Sequence, residues 1–484
     1  MFHLPPDAQE VVDRHPALQS ANVRRLHQIT TYFDTPAGDL FREGVTLRVR
    51  RCGKGFVQTL KLEGERDGPF GRNEWEWPVR TEVPDLDRVA ETPVADLLRE
   101  PPALQPIFVT DVERTLRTVR YDNALIEVAF DSGRIDAGDA TQPISELELE
   151  LKDGDSEPLY RLAAALHAVV PTVLAAESKA DRGWRLCTGR PRDAVKQVDI
   201  ALADDVTAAE GFRRIINGVL AHLMANQPAA AAGDIEGVHQ MRVAIRRLRA
   251  ALVLFRPRLE PHAEARLTEA LRSLGRIFGE ARDWDVFCRE MLVSAEEHGV
   301  ARSWLDLLRE PAEAERAAAH ARVADSLQRP TMTATVLGLA AWGAPDNEAM
   351  RIQLVHGAPK LVERLERRVV RRGHNIADRS DEELHALRKA LKKLRYSVEF
   401  LSSVGRDKQA KAYLHVIKKL LKHLGSLNDA VVVVALAERL GGERQPELAP
   451  AVAALAAWAM RRQDKARSQV EKYCRRFKSA AKAA

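Results

Sequence analysis

An internal repeat limits the architectures open to this chain of 484 residues more than any other feature. The stretches "GVHQMRVAIRRLRAALVLFRP" (residues 237–257) and "ELHALRKALKKLRYSVEFL" (383–401) follow one pattern, and setting His239 on His385 fixes the offset at 146. At that offset Arg242 meets Arg388, Arg246 meets Lys392, Arg247 meets Lys393, Leu248 meets Leu394 and Arg249 meets Arg395. Arg272 then falls on Lys418, Arg276 on Lys422, Gly279 on Gly425 and Asp283 on Asp429, all without a gap. A match sustained over about 45 residues marks a duplicated supersecondary unit. Each copy has room for about four helices, so the expected geometry is two four-helix bundles related by a pseudo-twofold.

Both copies read as amphipathic helices. At about 100° per residue, Arg242, Arg246 and Arg249 fall within about 80° of His239, opposite Met241, Ala244, Ile245, Leu248 and Leu252. Arg388, Lys392 and Arg395 repeat that stripe beside His385, opposite Leu387, Leu391, Leu394 and Val398. A single charged helix face is ordinarily a solvated one. Here, however, no acidic residue lies between Val238 and Arg258 to supply an i,i+4 partner. The stripe also recurs at the same positions in the copy, and Arg exchanges with Lys there, which suits a demand for charge more than one for fork-shaped pairing. Charge is segregated along the chain in the same sense. Residues 205–484 hold 48 Lys+Arg against 34 Asp+Glu, whereas residues 1–204 hold 26 against 35. The basic half therefore points to an anionic partner. Nucleic acid is not expected: beyond Tyr396 and Phe255 the stripes carry no aromatic rings for base stacking, and no helix-turn-helix, zinc-finger or RRM signature is present. A ligand that is all phosphate fits better.

The pattern His-x-x-Arg-x-x-x-[Arg/Lys]-[Arg/Lys]-Leu-Arg, present twice, resembles the CHAD domain, the conserved histidine α-helical domain, over residues 207–484. That resemblance implies two four-helix bundles around a basic cleft that binds inorganic polyphosphate. The residues it implies for the cleft are His239, Arg242, Arg246, Arg249, Arg272 and Arg276, with His385, Arg388, Lys392, Arg395, Lys418 and Lys422 from the second copy.

Before about residue 190 the texture changes to period-two stretches: "VTLRVRR", "FVQTLKLEG", "NEWEWPV", "ALIEVAFDSG" and "SELELELK". Alternation puts Arg48 and Arg50 on one face, Lys61 with Glu63, Glu74 with Glu76, Glu127 with Asp131, and Glu146 with Glu148 and Glu150. One such strand is the wet face of an antiparallel sheet. The set is different, because the opposite faces are apolar and need cover; a barrel with a charged lumen and a helix-clad exterior accommodates all of them. Cations there would neutralise a phosphate chain, and clustered carboxylates would hold Mg²⁺ or Mn²⁺.

The ordered series "TYFDTP", "LRVR", "LK", "EWEW", "VER", "IEVAFDSG", "ELELEL" and "ESKADRGWRL" resembles the CYTH domain of triphosphate tunnel metalloenzymes. The CYTH–CHAD pairing resembles inorganic triphosphatases, phosphoanhydride hydrolases that act on tripolyphosphate. The resemblance implies that Arg48, Arg50, Lys61, Arg114, Lys179 and Arg182 grip phosphates, that Glu148 and Glu150 bind the metal, and that Glu74, Glu76 and Glu127 position metal or water. The family opens on a Glu-x-Glu-x-Lys strand, whereas "MFHLPP" stands where that strand should be ending. Either the start of the chain is assigned too late, or the expected barrel lacks its first strand and so has an unpaired edge, only part of its metal site and weak or absent hydrolysis.

The expected fold class is thus α+β and multidomain: an antiparallel tunnel barrel (residues 1–190), a linker (191–206) and two helical bundles (207–346 and 347–484). No glycine-rich nucleotide loop is present, and "GPFGR" (68–72) reads as a turn. His3, His15 and His27 lack metal spacing and are expected at the surface. No apolar run approaches the roughly 18 residues that span a bilayer, no signal peptide is visible, and four scattered cysteines suit a reducing cytoplasm, with polyphosphate granules as the expected address. Two readings stay open: a metal-dependent tripolyphosphate hydrolase whose helical half captures polyphosphate, and a non-catalytic polyphosphate-binding module.

Overall fold

The computed structural model describes residues 1–5, 8–19, 22–53, 55–62, 73–98, 104–342, 347–404, 408–441 and 446–481; the turn expected at 68–72 lies outside them. The chain forms two compact units, one of Met1–Ala194, Gln227–Ala232 and Leu327–Gly343, the other of Val195–Asn226, Gly233–Ser326 and Ala344–Ala484.

The first unit is built on a nine-stranded antiparallel sheet: β1 (Phe2–His3), β2 (Val23–Asp34), β3 (Val45–Cys52), β4 (Gly55–Leu62), β5 (Asn73–Val79), β6 (Gln105–Tyr121), β7 (Ala124–Ala137), β8 (Ala140–Asp153) and β9 (Val173–Leu174). Its hydrogen-bonded order is β5-β4-β3-β2-β6-β7-β8-β1-β9. Alternation works as the sequence predicts. On β3, Val45 and Leu47 are buried with Leu40, Leu60 and Val89, and Val49 is buried on the same side, which leaves Arg48 and Arg50 on the charged face. Helix α1 (Ser156–Val169) covers the apolar side of β6, β7 and β8. Helix α2 (Lys179–Thr188) packs against the same three strands, with Ala180 in a cluster of Tyr32, Phe108, Val112 and Ile144. Close approach there requires glycine: a Cβ on Gly183 would stand 2.2 Å from the Phe108 ring.

The position of the first strand is not empty. Phe2 and His3 pair with Leu147 and Glu146 of β8 on one side and with Leu174 and Val173 of β9 on the other. Two residues are all that stands there, as expected where the family's strand should be ending, and one expectation is corrected: His3 is half-buried opposite Glu146 instead of lying at the surface. Glu148 and Glu150 lie beyond those two registers, so among the described residues that stretch of β8 is paired on its β7 side alone.

The second unit repeats itself in space. Helices α3 (Ala208–Ala225), α4 (Ile235–Phe255), α5 (Pro261–Val286) and α6 (Arg302–Leu327) recur as α7 (Leu354–Arg372), α8 (Asp381–Leu401), α9 (Lys408–Leu440) and α10 (Ala449–Ala481), at offsets of 146 or 147. Even the caps correspond: Asp234 accepts from the Gly237 amide before α4, and Ser380 accepts from the Glu383 amide in a capping box before α8. Helices α4 and α8 pack against each other. Leu248 and Leu394, equivalent in sequence, are both fully buried. Within α9, the segment Ala410–Leu440 is long and apolar enough by composition to cross a membrane; α8 and α10 pack against it, as expected of a bundle core helix.

Candidate functional site

Each unit carries its own concentration of charge. In the sheet, the β3–β5 sector is dominated by cations. Glu74 reaches Lys61 at 2.9 Å and Arg48 at 3.6 Å, while Glu76 accepts from the Thr59 hydroxyl at 3.1 Å. Burial works to raise the Glu74 carboxyl, but Lys61 and Arg48 hold it below the usual carboxylate range. Arg48 next door, followed by burial, pushes the Arg50 guanidinium down to about 10. Burial and then Arg48 lower Lys61 as well. Burial raises the Tyr32 phenol, yet Arg48 beside it brings it below its ordinary value. These shifts have one meaning: positive charge here exceeds what Glu74 and Glu76 offset, so an anion would be stabilised.

The β6–β8 sector is the complement. The sheet register sets Arg114 opposite Asp131, Asp131 opposite Glu146, Ala129 opposite Glu148 and Glu127 opposite Glu150. One oxygen each from Asp131, Glu146 and Glu148 can be chosen so that all three lie within 4.8 Å of one another. Lys179, the first residue of α2, places its Nζ 2.7 Å from all three carboxylates. Arg114 donates to Asp131 at 2.7 and 2.6 Å and to Glu148 at 2.6 Å, and Arg182 pairs with Glu146. Burial alone would raise the Glu148 carboxyl, but Lys179 and Arg114 hold it well below the usual range. The same carboxylates overcome burial and raise Lys179 and Arg114.

A three-carboxylate group of this spacing suits a hard divalent cation that takes oxygen ligands. One buried Glu146 oxygen meets the Lys179 ammonium at 2.7 Å and makes no hydrogen bond beside it, so a cation in place of that ammonium would take it as a ligand. The Lys179 ammonium stands at the focus of the three, in the place the cation would take. Of the two glutamates read from sequence as metal ligands, Glu148 is in this group. Glu150 is on the same face but apart, its side chain 61% exposed and 2.9 Å from Lys152, which Glu127 also approaches at 3.7 Å. Asp131 and Glu146 were legible only as alternating face residues; the cross-strand register is what joins them to Glu148.

In the helical unit, packing of α4 on α8 puts the two stripes together. Arg246, Arg388 and Lys392 are depressed: burial and Arg242 push Arg246 down to about 10, burial lowers Arg388, and burial followed by Arg388, Arg246 and Arg242 pushes Lys392 down to about 6. The expectation of unneutralised charge needs one correction. Beyond Glu236 in its first turn α4 carries no acid, but Asp283 of α5 reaches Arg242 at 3.5 Å and Asp429 of α9 reaches Arg388 at 3.9 Å. Burial raises both aspartates above the usual range despite those partners. His239 and His385 are lowered by burial first, and His385 Nδ1 lies 2.5 Å from the Asn428 side-chain oxygen.

The remaining predicted residues sit around this cluster. Arg272 pairs with Glu269, which Arg276 also approaches at 3.7 Å, and Arg249 lies beside Arg272. Arg395 and Lys418 share Glu399, at 2.8 and 3.8 Å, and Lys422 is exposed. Glu399 also takes Arg247 at 3.5 Å, and that guanidinium lies over the Phe400 ring, 4.8 Å from its centroid.

The CHAD domain family matches residues 214–438 and the CYTH domain family matches residues 3–183. The chain is 36% identical over 158 residues to a protein of Haemophilus influenzae named inorganic triphosphatase, a match to 32% of this chain and 45% of that protein. It therefore spans less than half the length of that relative. An uncharacterised protein of Mycobacterium tuberculosis is 27% identical over 435 residues, 83% of this chain and 80% of its own. Among solved structures, the CHAD domain from the plant Ricinus communis superposes with a TM-score of 0.52 at 27% identity, covering 60% of this chain and 98% of that one.

Proposed function

The chain joins a CYTH domain (residues 3–183) to a CHAD domain (214–438), and on that premise we propose that it binds inorganic polyphosphate and hydrolyses tripolyphosphate-like phosphoanhydrides with a divalent metal. The observation that carries the reading is the split face of the sheet, with cation excess at Arg48, Arg50 and Lys61 and a three-carboxylate group at Asp131, Glu146 and Glu148. A phosphoryl-transfer site needs both sectors, one to hold the phosphate oxygens and one to hold a metal.

Arg48, Arg50 and Lys61 bind the phosphate chain, and Glu74 holds Lys61 and Arg48 in place for it. Asp131, Glu146 and Glu148 are the donors for Mg²⁺ or Mn²⁺. Such an ion, when bound, polarises phosphoryl oxygens and lowers the pKa of an attacking water. With such an ion held by the carboxylates, Lys179 would be released to serve as a phosphate contact, while Arg114 keeps Asp131 and Glu148 oriented. Glu76 and Glu127 serve to position water. In the helical unit, Arg242, Arg246, Arg388 and Lys392 take the polymer, its phosphates adding to the counter-charge that Asp283 and Asp429 supply. The four cysteines are all free thiols, which suits the cytoplasm, where polyphosphate granules form.

Phosphate release from tripolyphosphate with Mg²⁺ or Mn²⁺ tests the hydrolase. Wild-type protein should turn over, and Asp131→Asn with Glu148→Gln should lose about 100-fold or more, the scale for removing one preorganised charge-stabilising group. Equal rates for the two proteins would refute the site. Binding is tested separately with long-chain polyphosphate at increasing salt. Arg242→Glu with Arg388→Glu should abolish it, and unchanged binding would refute the helical assignment.

A further inference from the structure

The two copies of the repeat differ in the groove beside their second helix, and the way they do so is informative. In the first copy, the groove between α3 and α4 is filled by the chain itself. The Val195 carbonyl accepts from Asn226 at 3.0 Å and lies 3.1 Å from His222 Nε2, and the Val195 amide donates to Asn226 Oδ1 at 3.0 Å. Ile200 lies against Gly218, and Arg247 is buried and ion-paired with Glu399 at 3.5 Å.

The equivalent groove between α7 and α8 has no such filler among the described residues. At the repeat offset, His222 becomes Arg368, Asn226 becomes Arg372, Val243 becomes Lys389 and Arg247 becomes Lys393. These four cations line an open pocket of about 250 Å³ whose other walls are Leu365, Ala386 and Ala390. No acid lines it, and among the described residues none of the four cations makes an ion pair. Arg372 is held by donation to the Ala386 carbonyl at 2.8 Å. Burial first, followed by the guanidiniums of Arg249, Arg368 and Arg372, pushes the Lys393 ammonium down to about 8. Lys389 and Lys393 lie on a different face of α8 from Arg388 and Lys392, about 100° round the helix.

We propose that the α7–α8 groove is a second anion site that takes a short, multiply charged inorganic phosphate such as pyrophosphate, separate from the Arg242–Arg246–Arg388–Lys392 cluster. Two guanidiniums offer paired donors that match phosphate oxygens, and two ammoniums add charge. The pocket is smaller than the roughly 300–1,000 Å³ of drug-sized sites. It has no aromatic wall on which a nucleobase could stack. What the first copy fills with its own backbone, the second leaves to a ligand.

The test uses the full chain and reads Lys393 directly. An amine-acylating reagent at pH 8 labels Lys393 readily in the free protein, and peptide mass spectrometry gives its rate. Pyrophosphate should slow that labelling at least fivefold, whereas sulfate at equal ionic strength should not. Protection should disappear in Arg368→Gln with Lys389→Gln, a pair of exposed positions that leaves the helix packing intact, and circular dichroism checks the fold. It should persist in Arg242→Gln with Arg388→Gln, which weakens long-chain binding at the other cluster. Protection that survives the first variant, fails in the second, or needs long-chain polyphosphate in place of pyrophosphate would overturn the proposal, as would equal protection by sulfate. Loss of long-chain binding in the second variant reports only on the earlier reading, so the two failures are separate.

Discussion

Replacing Lys392 by Met gives the sharpest check on the helical cluster, because the expected signal is a counted proton. Burial first, followed by Arg388, Arg246 and Arg242, pushes the free ammonium down to about 6. At pH 8 only about 1% of it is charged, against nearly all of an ordinary lysine near pKa 10.4. A bound phosphate polymer supplies counter-charge beyond what Asp283 and Asp429 offer this cluster and returns Lys392 toward that ordinary value. Binding at pH 8 should therefore take up close to one proton through this residue. The complex carries the higher pKa, so affinity should fall as pH rises between about 7 and 9.5, by nearly tenfold or about 1.4 kcal/mol per pH unit. His239 and His385, both lowered by burial, and Asp283 and Asp429, both raised by it, change protonation in the same sense when an anion arrives. The difference between wild type and Lys392→Met is accordingly the quantity to read. Calorimetric titration with long-chain polyphosphate in two buffers of different ionisation enthalpy gives the proton count. A buffer-independent enthalpy for the wild type, or the same count in the variant, would refute the reasoning.

Lys179→Met removes the ammonium that three carboxylates share, and breaking a mostly buried ion pair in this way costs about 3 kcal/mol; the melting temperature should fall, and Mg²⁺ should restore it further than it raises that of the wild type. Arg247→Met leaves Glu399 without one of its cations at the contact between the repeats, so denaturant titration should show a loss of about 2–3 kcal/mol, while pyrophosphate protection of Lys393 is retained. Gly133→Ala would put a Cβ 2.0 Å from the Asp111 carbonyl oxygen; because that obstacle is backbone, the β6–β7 ladder must shift, and a loss of about 2 kcal/mol or more is expected by chemical denaturation. An unchanged denaturation midpoint in either of the last two variants would contradict the packing described.

Much of the helical unit was legible because repetition is a one-dimensional signal. His239 and His385 fix the offset, the offset fixes the helix starts, and the 3.6-residue period separates Arg242 and Arg246 from Leu248. The strand faces were legible for the same reason, since Arg48 and Leu47 must point to opposite sides. The acids were harder. Asp283 and Asp429 were visible as a matched pair but not as partners of Arg242 and Arg388, because they come from helices whose rotation about their axes no local pattern sets.

Composition, periodicity and the repeat determined by themselves that this chain has a strand-rich half and a duplicated helical half, and which side of each element is charged. Only the tertiary structure decided which charges meet. Cross-strand register gathered Asp131, Glu146 and Glu148 around Lys179 and left Glu150 beside Lys152, and the path of the chain through Val195 filled one groove while its twin stayed open. The reason is physical: patterning acts through neighbours a few residues apart, whereas electrostatic groups form across gaps of tens to hundreds of residues. There, a shift of one register or a quarter turn of a helix replaces one partner with another at little cost to the local pattern.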